Sequence, residues 1–114
     1  MPLRKKYFKG YKLERKVKEM LEKEGWYVIR SAGSKKPDLI AGKDGKIMVM
    51  ECKVTSKPQL YLKKEEVKNL ENVSKAFNGE GMYAIKYNTK IHFVPLTNII
   101  KKGDIYLIDL TEFC

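Results

Sequence analysis

Two acidic residues and a lysine lie inside or beside the most apolar stretch of the chain. The stretch reads KKPDLIAGKDGKIMVMECKV, with Asp38 before its first apolar run and Glu51 and Lys53 in the second. The Asp44-Gly45 pair between the two runs predicts the two-residue turn of a β-hairpin. Counting outward from that turn places residue 38 opposite residue 51, with Cβ atoms about 4.5–5.5 Å apart. The spacing therefore predicts that the two carboxylates lie next to each other on paired strands.

Such a pair of carboxylates is unfavourable in a strand that is apolar on both faces. Like charges opposite each other destabilise a sheet, and partial desolvation raises the pKa of a carboxyl group. A divalent cation removes both costs, and Mg²⁺ prefers oxygen ligands while keeping several of its waters. We therefore interpret Asp38 and Glu51 as metal ligands, with Lys53 on the same face as Glu51 because side chains alternate along a strand. The alternative is an exposed Glu51–Lys53 pair at a strand end and a turn aspartate after Pro37.

Other metal-ligating residue types are scarce, which leaves oxygen as the donor. The chain has a single histidine, His92, and its two cysteines, Cys52 and Cys114, lack the spacing of a zinc site. Both thiols are expected to be free in a reducing cytoplasm. Glu14 is the only acid within residues 1–18, a segment that holds eight Lys and Arg residues, and it borders a predicted apolar helix face. Glu14 is therefore a third candidate for the site, the alternative being an ordinary solvated helix glutamate.

The charge and length of the chain favour a nucleic acid as partner. The 114 residues carry a formal charge of +10 and are 43% hydrophobic, which suits one globular domain spanning residues 1–114. A charge this large on a small domain favours a polyanion, nucleic acid before membrane. No apolar run approaches the roughly 18 residues that cross a bilayer, and no signal peptide is recognisable. The chain is therefore expected in the cytoplasm, associated with the nucleoid.

Helices and strands alternate in an order that predicts a mixed α/β fold. Apolar residues at helical spacing predict a first helix from about Tyr11 to Glu24, preceded by a basic, poorly ordered arm at residues 1–9. A second helix is predicted between the SKPQ loop and Asn78-Gly79. Strands are predicted at 26–30, 39–41, 47–54, 82–87 and 91–94, with a short helical turn near 97–101 and a candidate strand at 105–110. The expected architecture is a central mixed five-stranded sheet flanked by helices.

The segment KGYKLERKVKEMLEKEGWYVIRSAGSKKPDLIAGKDGKIMVMECKVT resembles the archaeal Holliday junction resolvases, small members of the PD-(D/E)XK nuclease superfamily. The resemblance extends from residue 9 to about residue 96, and its most specific portion is RSAGSKKPD…ECKVT. It implies a restriction-endonuclease-like α/β core that acts as a homodimer on branched DNA, the four-way junction, in recombination and repair. The tail IYLIDLTEFC aligns weakly, and the basic N-terminal arm is longer than the family pattern.

The resemblance also implies roles for individual residues. The family's catalytic positions fall on Glu14, Asp38, Glu51, Lys53 and Ser34, and Mg²⁺, or Mn²⁺ in its place, would be held by Glu14, Asp38, Glu51 and the backbone carbonyl of Cys52. Lys53 would hold or deprotonate the attacking water, or stabilise the charge on the phosphate. Ser34 would contact the scissile phosphate, unless it is a plain loop serine. The residues that would bind DNA phosphates are Lys9, Arg15, Arg30, Lys35 and Lys36.

Two other functions stay open at this point. One is a nuclease of the same superfamily that cuts flap or duplex DNA, because the spacing of two sites in a dimer does not follow from one chain. The other is a basic nucleic-acid-binding module without catalysis. The acids argue against this second alternative, since a pure binder gains nothing from carboxylates that face phosphate.

Overall fold

The computed structural model describes residues 2–32 and 36–113, with side chains for 11–32 and 36–113. Two helices and eight strands follow one another in the described chain. In order they are α1 (Pro2–Lys23), β1 (Tyr27–Arg30), β2 (Leu39–Lys43), β3 (Lys46–Thr55), β4 (Gln59–Leu62), α2 (Lys64–Ala76), β5 (Glu80–Tyr87), β6 (Lys90–Pro95), β7 (Ile100–Lys102) and β8 (Ile105–Asp109). Short 3₁₀ turns cover Leu96–Asn98 and Leu110–Phe113.

A five-stranded sheet forms the centre of the fold, with strand order β1-β2-β3-β5-β6. β3 and β5 run parallel, and the other neighbouring pairs in this sheet are antiparallel. The parallel pair requires a crossover, which β4 and α2 supply between β3 and β5. The predicted mixed five-stranded sheet flanked by helices is thus confirmed.

The β2–β3 hairpin has the turn that the sequence predicts. Asp44 and Gly45 both adopt positive φ, 51° and 79°. Two such residues are the mark of a type I′ turn, whose twist matches that of the strands it joins. The ladder runs from Lys43↔Lys46 to Leu39↔Met50, so the predicted register is confirmed over this length.

The two faces of the central sheet belong to two separate apolar clusters. α1 covers one face, where Leu13 and Val17 pack against Met50 and other residues of β2, β3 and β5. α2 and the C-terminal segment cover the other face, where Val67 packs with Val49. Val49 and Met50 are both fully buried, so β3 is buried on both faces, as its apolar sequence predicts.

α1 is longer at its N-terminus than the sequence pattern predicts. The helix begins at Pro2, within the segment for which the sequence predicts a basic arm. Proline suits the first position of a helix because its fixed φ is helical and its missing N–H has no helical partner. Leu, Arg and Lys, which follow it, are good helix formers. The first helix ends as predicted, with Gly25 at φ 92° just beyond it.

A second sheet, with strand order β4-β8-β7, lies in the C-terminal half of the chain. The candidate strand at 105–110 is confirmed as β8. The helical turn predicted near 97–101 is present as the 3₁₀ turn Leu96–Asn98, but it ends earlier than predicted because residues 100–102 form β7. β4 was not predicted, since its four residues pair with β8, which lies more than 40 residues later. Short strands of this kind depend on their partner more than on local propensity.

No helix in the described part of the chain is long and apolar enough to cross a bilayer.

Candidate active site

Asp38 is held against β3 just beyond the end of the hairpin ladder. Its backbone N–H donates to the Met50 carbonyl at 3.0 Å. Its Oδ2 accepts a hydrogen bond of 2.8 Å from the backbone N–H of Cys52. The ladder ends at Leu39↔Met50, so the predicted direct pairing of Asp38 with Glu51 in the ladder is not formed. The two acids are neighbours nevertheless, because these two hydrogen bonds join Asp38 to Met50 and Cys52, the residues on either side of Glu51.

Glu51 is the buried carboxylate of the site. Its side chain is 1% exposed, and its neighbours on the same strand, Val49 and Met50, belong to the two apolar clusters. Burial, and after it the negative charge of Asp38, raise the pKa of Glu51 to about 7. Ionising Glu51 therefore costs free energy, as the sequence predicts for a carboxylate in a strand that is apolar on both faces.

The ammonium of Lys36 lies between the two carboxylates. Its Nζ is 3.0 Å from Glu51 Oε2 and 3.7 Å from Asp38 Oδ1. The shorter contact is an ion pair, and beyond it the buried Glu51 Oε2 has no hydrogen-bond donor among the described residues. Burial by itself lowers the pKa of Lys36, but the neighbouring carboxylates, Glu51 first among them, together outweigh burial, and the net shift of the pKa is upward. A residue expected to bind phosphate thus neutralises the acids here.

Glu14 reaches the same region from α1. Arg30, at the end of β1, places its Nε 3.3 Å from Glu14 Oε1, and its guanidinium lies 4.6 Å from the centre of the Tyr11 ring. Burial and the charge of Asp38 raise the pKa of Glu14, while Arg30 opposes the shift. Glu14 and Asp38 are therefore close enough to repel each other, and Arg30 is paired instead of projecting freely to solvent.

Lys53 has a partner that the sequence analysis missed. Its Nζ lies 2.8 Å from Oε1 and 3.0 Å from Oε2 of Glu66, in the first turn of α2. In the crossover that joins the parallel strands β3 and β5, α2 begins near the end of β3. An acid in the first turn of the predicted second helix was therefore the available signal.

The other predicted site residues fall in three groups. The Cys52 side chain packs with the α1-side cluster, and burial raises the pKa of its thiol, which leaves an inert core residue. Arg15 is exposed on α1. Ser34, Lys35 and the side chain of Lys9 lie outside the described residues.

The donor set suits an oxygen-loving divalent ion. Among the side chains that the structure describes, no three of the types His, Cys, Asp or Glu come close enough to form a complete metal cage. Mg²⁺ needs no such cage, since it is held by one or two carboxylates and completes its shell with water and substrate phosphate. Asp38 and Glu51 supply two carboxylates, one oxygen of Glu51 has no hydrogen-bond donor, and a cationic group already lies between them.

Comparisons with known proteins agree in sequence and in fold. A family model described as archaeal Holliday junction resolvase (Hjc) matches residues 5–112. The crossover junction endodeoxyribonuclease Hjc of Methanocaldococcus jannaschii is 45% identical over 94% of this chain and 80% of that protein, and that of Archaeoglobus fulgidus is 31% identical over 89% and 79%. A solved structure of Archaeoglobus fulgidus Hjc, a Holliday junction resolvase, matches with a TM-score of 0.83 at 30% identity, covering 90% of this chain and 85% of that one. Because the family match spans nearly the whole sequence and the folds agree, this chain belongs to the archaeal Holliday junction resolvase family.

Proposed function

We propose that this chain is a metal-dependent endonuclease that resolves four-way DNA junctions by paired phosphodiester cuts. The observation that carries the chemistry is the buried Glu51 carboxylate beside Asp38, with one oxygen lacking a hydrogen-bond donor and a cation between the two acids. Family membership supplies the substrate class, because both curated relatives carry the name crossover junction endodeoxyribonuclease. The +10 charge is consistent with a polyanionic substrate.

Asp38 and Glu51 would hold the ion, for which we propose Mg²⁺. Glu14, directly or through water, and the backbone carbonyl of Cys52 complete the proposed ligand set. When bound, a divalent ion supplies an activated water at neutral pH and stabilises charge on the scissile phosphate. The raised pKa of Glu51 means that the carboxylate must lose a proton near pH 7 before it can act as a ligand.

The basic residues around the acids would position the DNA. Lys53, on the same face of β3 as Glu51, is proposed to hold or deprotonate the attacking water or to stabilise the phosphate charge. Lys36 and Arg30, both paired with acids of the site, would pass to backbone phosphates when DNA arrives. Arg15 and Lys9 on α1, with Ser34 and Lys35, which precede Lys36 in the sequence, complete the proposed phosphate contacts.

We further propose that the enzyme acts as a homodimer, since one chain carries one site and a four-way junction needs two cuts. The sheet face beside α2 is open over β1, where Tyr27 and Ile29 are 85% and 71% exposed. Phe77, at the end of α2, is also exposed, at 48%. Exposed apolar groups that share a face favour a self-complementary contact, and twofold dimers are the commonest assembly.

One assay tests the proposal directly. The protein is incubated with Mg²⁺ and a synthetic four-way junction, and in parallel with a linear duplex of the same sequence. We expect paired, symmetric cuts in the junction only, and no cuts with Glu51→Gln, whose junction affinity stays near that of the wild type. Equal cutting of both DNAs would favour the alternative of a general nuclease. Binding of the junction without any cutting would favour a non-catalytic module.

A further inference from the structure

The Lys53–Glu66 pair joins the central sheet to α2 at the proposed site. Glu66 Oε2 accepts a hydrogen bond from Lys53 Nζ at 3.0 Å, and Oε1 lies 2.8 Å from the same nitrogen. The side chains are 29% and 16% exposed. The pair is thus partly shielded from water, which distinguishes it from an exposed surface ion pair of little consequence.

Glu66 is itself held rigidly. It lies in the first turn of α2, where a carboxylate is favoured by the partial positive charge of the helix N-terminus. The next residue, Val67, is fully buried in the core, as is Leu70 one turn later. The packing of the helix therefore fixes the backbone position from which Glu66 reaches Lys53.

Lys53, by contrast, has a flexible four-carbon side chain that needs an external restraint to hold its ammonium in one place. It lies two residues after Glu51 on the same face of β3. The negative charge of Glu66 contributes to the raised pKa of both Glu51 and Lys36, so Glu66 lies beside the acid cluster. The Glu66 carboxylate therefore holds the Lys53 ammonium on the face of β3 that carries Glu51.

We propose that Glu66 is a positioning residue, which fixes the Lys53 ammonium for its part in phosphodiester cleavage. The proposal deepens the proposed function and rests on it. Glu66 is not assigned a contact with DNA or metal. Its effect on the reaction passes through Lys53. Groups that orient a functional side chain from behind commonly change activity by about 10- to 100-fold.

The first test compares two isosteric variants of the same helix. Glu66→Gln removes the charge that holds Lys53, and Glu71→Gln removes an equivalent charge that pairs with Lys101 Nζ at 3.0 Å, away from the site. With saturating junction and Mg²⁺ under single-turnover conditions, we expect cleavage by Glu66→Gln to fall about 10- to 100-fold. Its junction Kd should stay within about twofold of the wild type, and Glu71→Gln should match the wild type in both respects. An unchanged rate in Glu66→Gln would overturn the proposal.

A double substitution separates positioning from a structural role. If Glu66 acts through Lys53, adding Glu66→Gln to Lys53→Met should not lower the residual rate further, because the interaction is already lost. A further loss of tenfold or more would mean that Glu66 acts by another route, and the proposal would fail. Thermal melting confirms that each variant is folded at the assay temperature. Glu66→Asp, which keeps the charge on a shorter side chain, should give an intermediate rate and carries the test if Glu66→Gln is unfolded.

A readout without cleavage tests the pair itself. Reductive methylation of lysine amines in EDTA, followed by mass spectrometry, reports how freely each amine reacts. Glu66→Gln should speed methylation of Lys53 several-fold and leave Lys101 unchanged, whereas Glu71→Gln should do the reverse. If the wild type cuts no junction, the proposed function fails whatever the methylation shows. If the wild type cuts but Lys53 reacts equally fast in the wild type and in Glu66→Gln, the positioning role fails alone.

Discussion

At the scale of single residues, the site is defined by charges that are partly neutralised by neighbours. Glu51 is the most costly of them, because it is buried and close to Asp38. The positive charge of Lys36 offsets part of this cost, and that of Arg30 does the same for Glu14. Each acid thus has a cationic partner whose place a metal ion can take, and the displaced cation can then pair with a DNA phosphate.

Removing the Glu51 charge should stabilise the protein when metal is absent. The pKa of Glu51 is raised from 4.5 to about 7, so its ionised form destabilises the fold above pH 7 and this penalty fades as pH falls toward 4.5. In EDTA at pH 8, Glu51→Gln should raise the free energy of unfolding by about 1–3 kcal/mol. The gain should shrink at pH 5, where the wild-type group is already protonated. Denaturant unfolding at both pH values measures it.

The control for this measurement is Glu80→Gln, an exposed glutamate at the start of β5, which should change stability little at either pH. A lower stability of Glu51→Gln at pH 8 would show that the ionised carboxylate has a structural role, contrary to its assignment as a ligand.

Lys36 should compete with the metal. Its ammonium lies between Asp38 and Glu51, so it must leave before a divalent ion can bind both acids. Without DNA, Lys36→Gln should therefore bind Mg²⁺ about tenfold more tightly, as measured by isothermal titration calorimetry. Lys64→Gln, which removes an exposed charge paired with Asp104, is the matched control and should not alter the affinity. Weaker binding by Lys36→Gln would show that the lysine assists the metal.

At the scale of elements, the site depends on how closely α2 approaches β5. A Cβ added at Gly81 would lie 2.5 Å from Leu96 Cδ1 and would also overlap the hydroxyl of Ser74. Ser74 Oγ is fixed on α2 by donating to the Leu70 carbonyl of the same helix at 2.7 Å, so an added Cβ would press against the helix itself. The glycine thus allows the helix that carries Glu66 to approach the sheet.

Gly81→Ala should destabilise the protein by about 1–3 kcal/mol, as overpacking does in other cores. Chemical denaturation gives the value. Gly42→Ala is the control, because a Cβ there meets only the Lys46 carbonyl oxygen, at 3.8 Å. Equal stability of the two variants would mean that α2 moves away from β5 with no loss in the free energy of unfolding.

At the scale of the whole molecule, the open face over β1 is the strongest candidate for the contact of the proposed homodimer. Ile29→Glu places a charge in that face and should convert the protein to a monomer of 13.3 kDa, detected by sedimentation at micromolar concentration. Ile105→Glu, at an exposed apolar position on β8, should leave the dimer intact. The monomer should lose paired cutting of a junction. A dimer that survives Ile29→Glu would place the interface elsewhere.

The hairpin and its acids could be predicted from the sequence because the information is local. Asp44-Gly45 determines the turn, the turn determines the register, and the register brings Asp38 beside Glu51. Alternation along β3 then predicts that Lys53 shares a face with Glu51. The five strands of the central sheet follow from apolar runs of the same local kind.

Only the tertiary structure shows which residues surround these acids. Glu66 meets Lys53 because the crossover packs α2 against β3, and Lys36 lies between the carboxylates of two residues, Asp38 and Glu51, that no local pattern places on either side of it. The second sheet likewise depends on β4 meeting β8, two segments that are far apart in sequence. Such contacts depend on the packing of distant segments, and the free energy that selects them comes from burial in the assembled core, which local patterns do not encode.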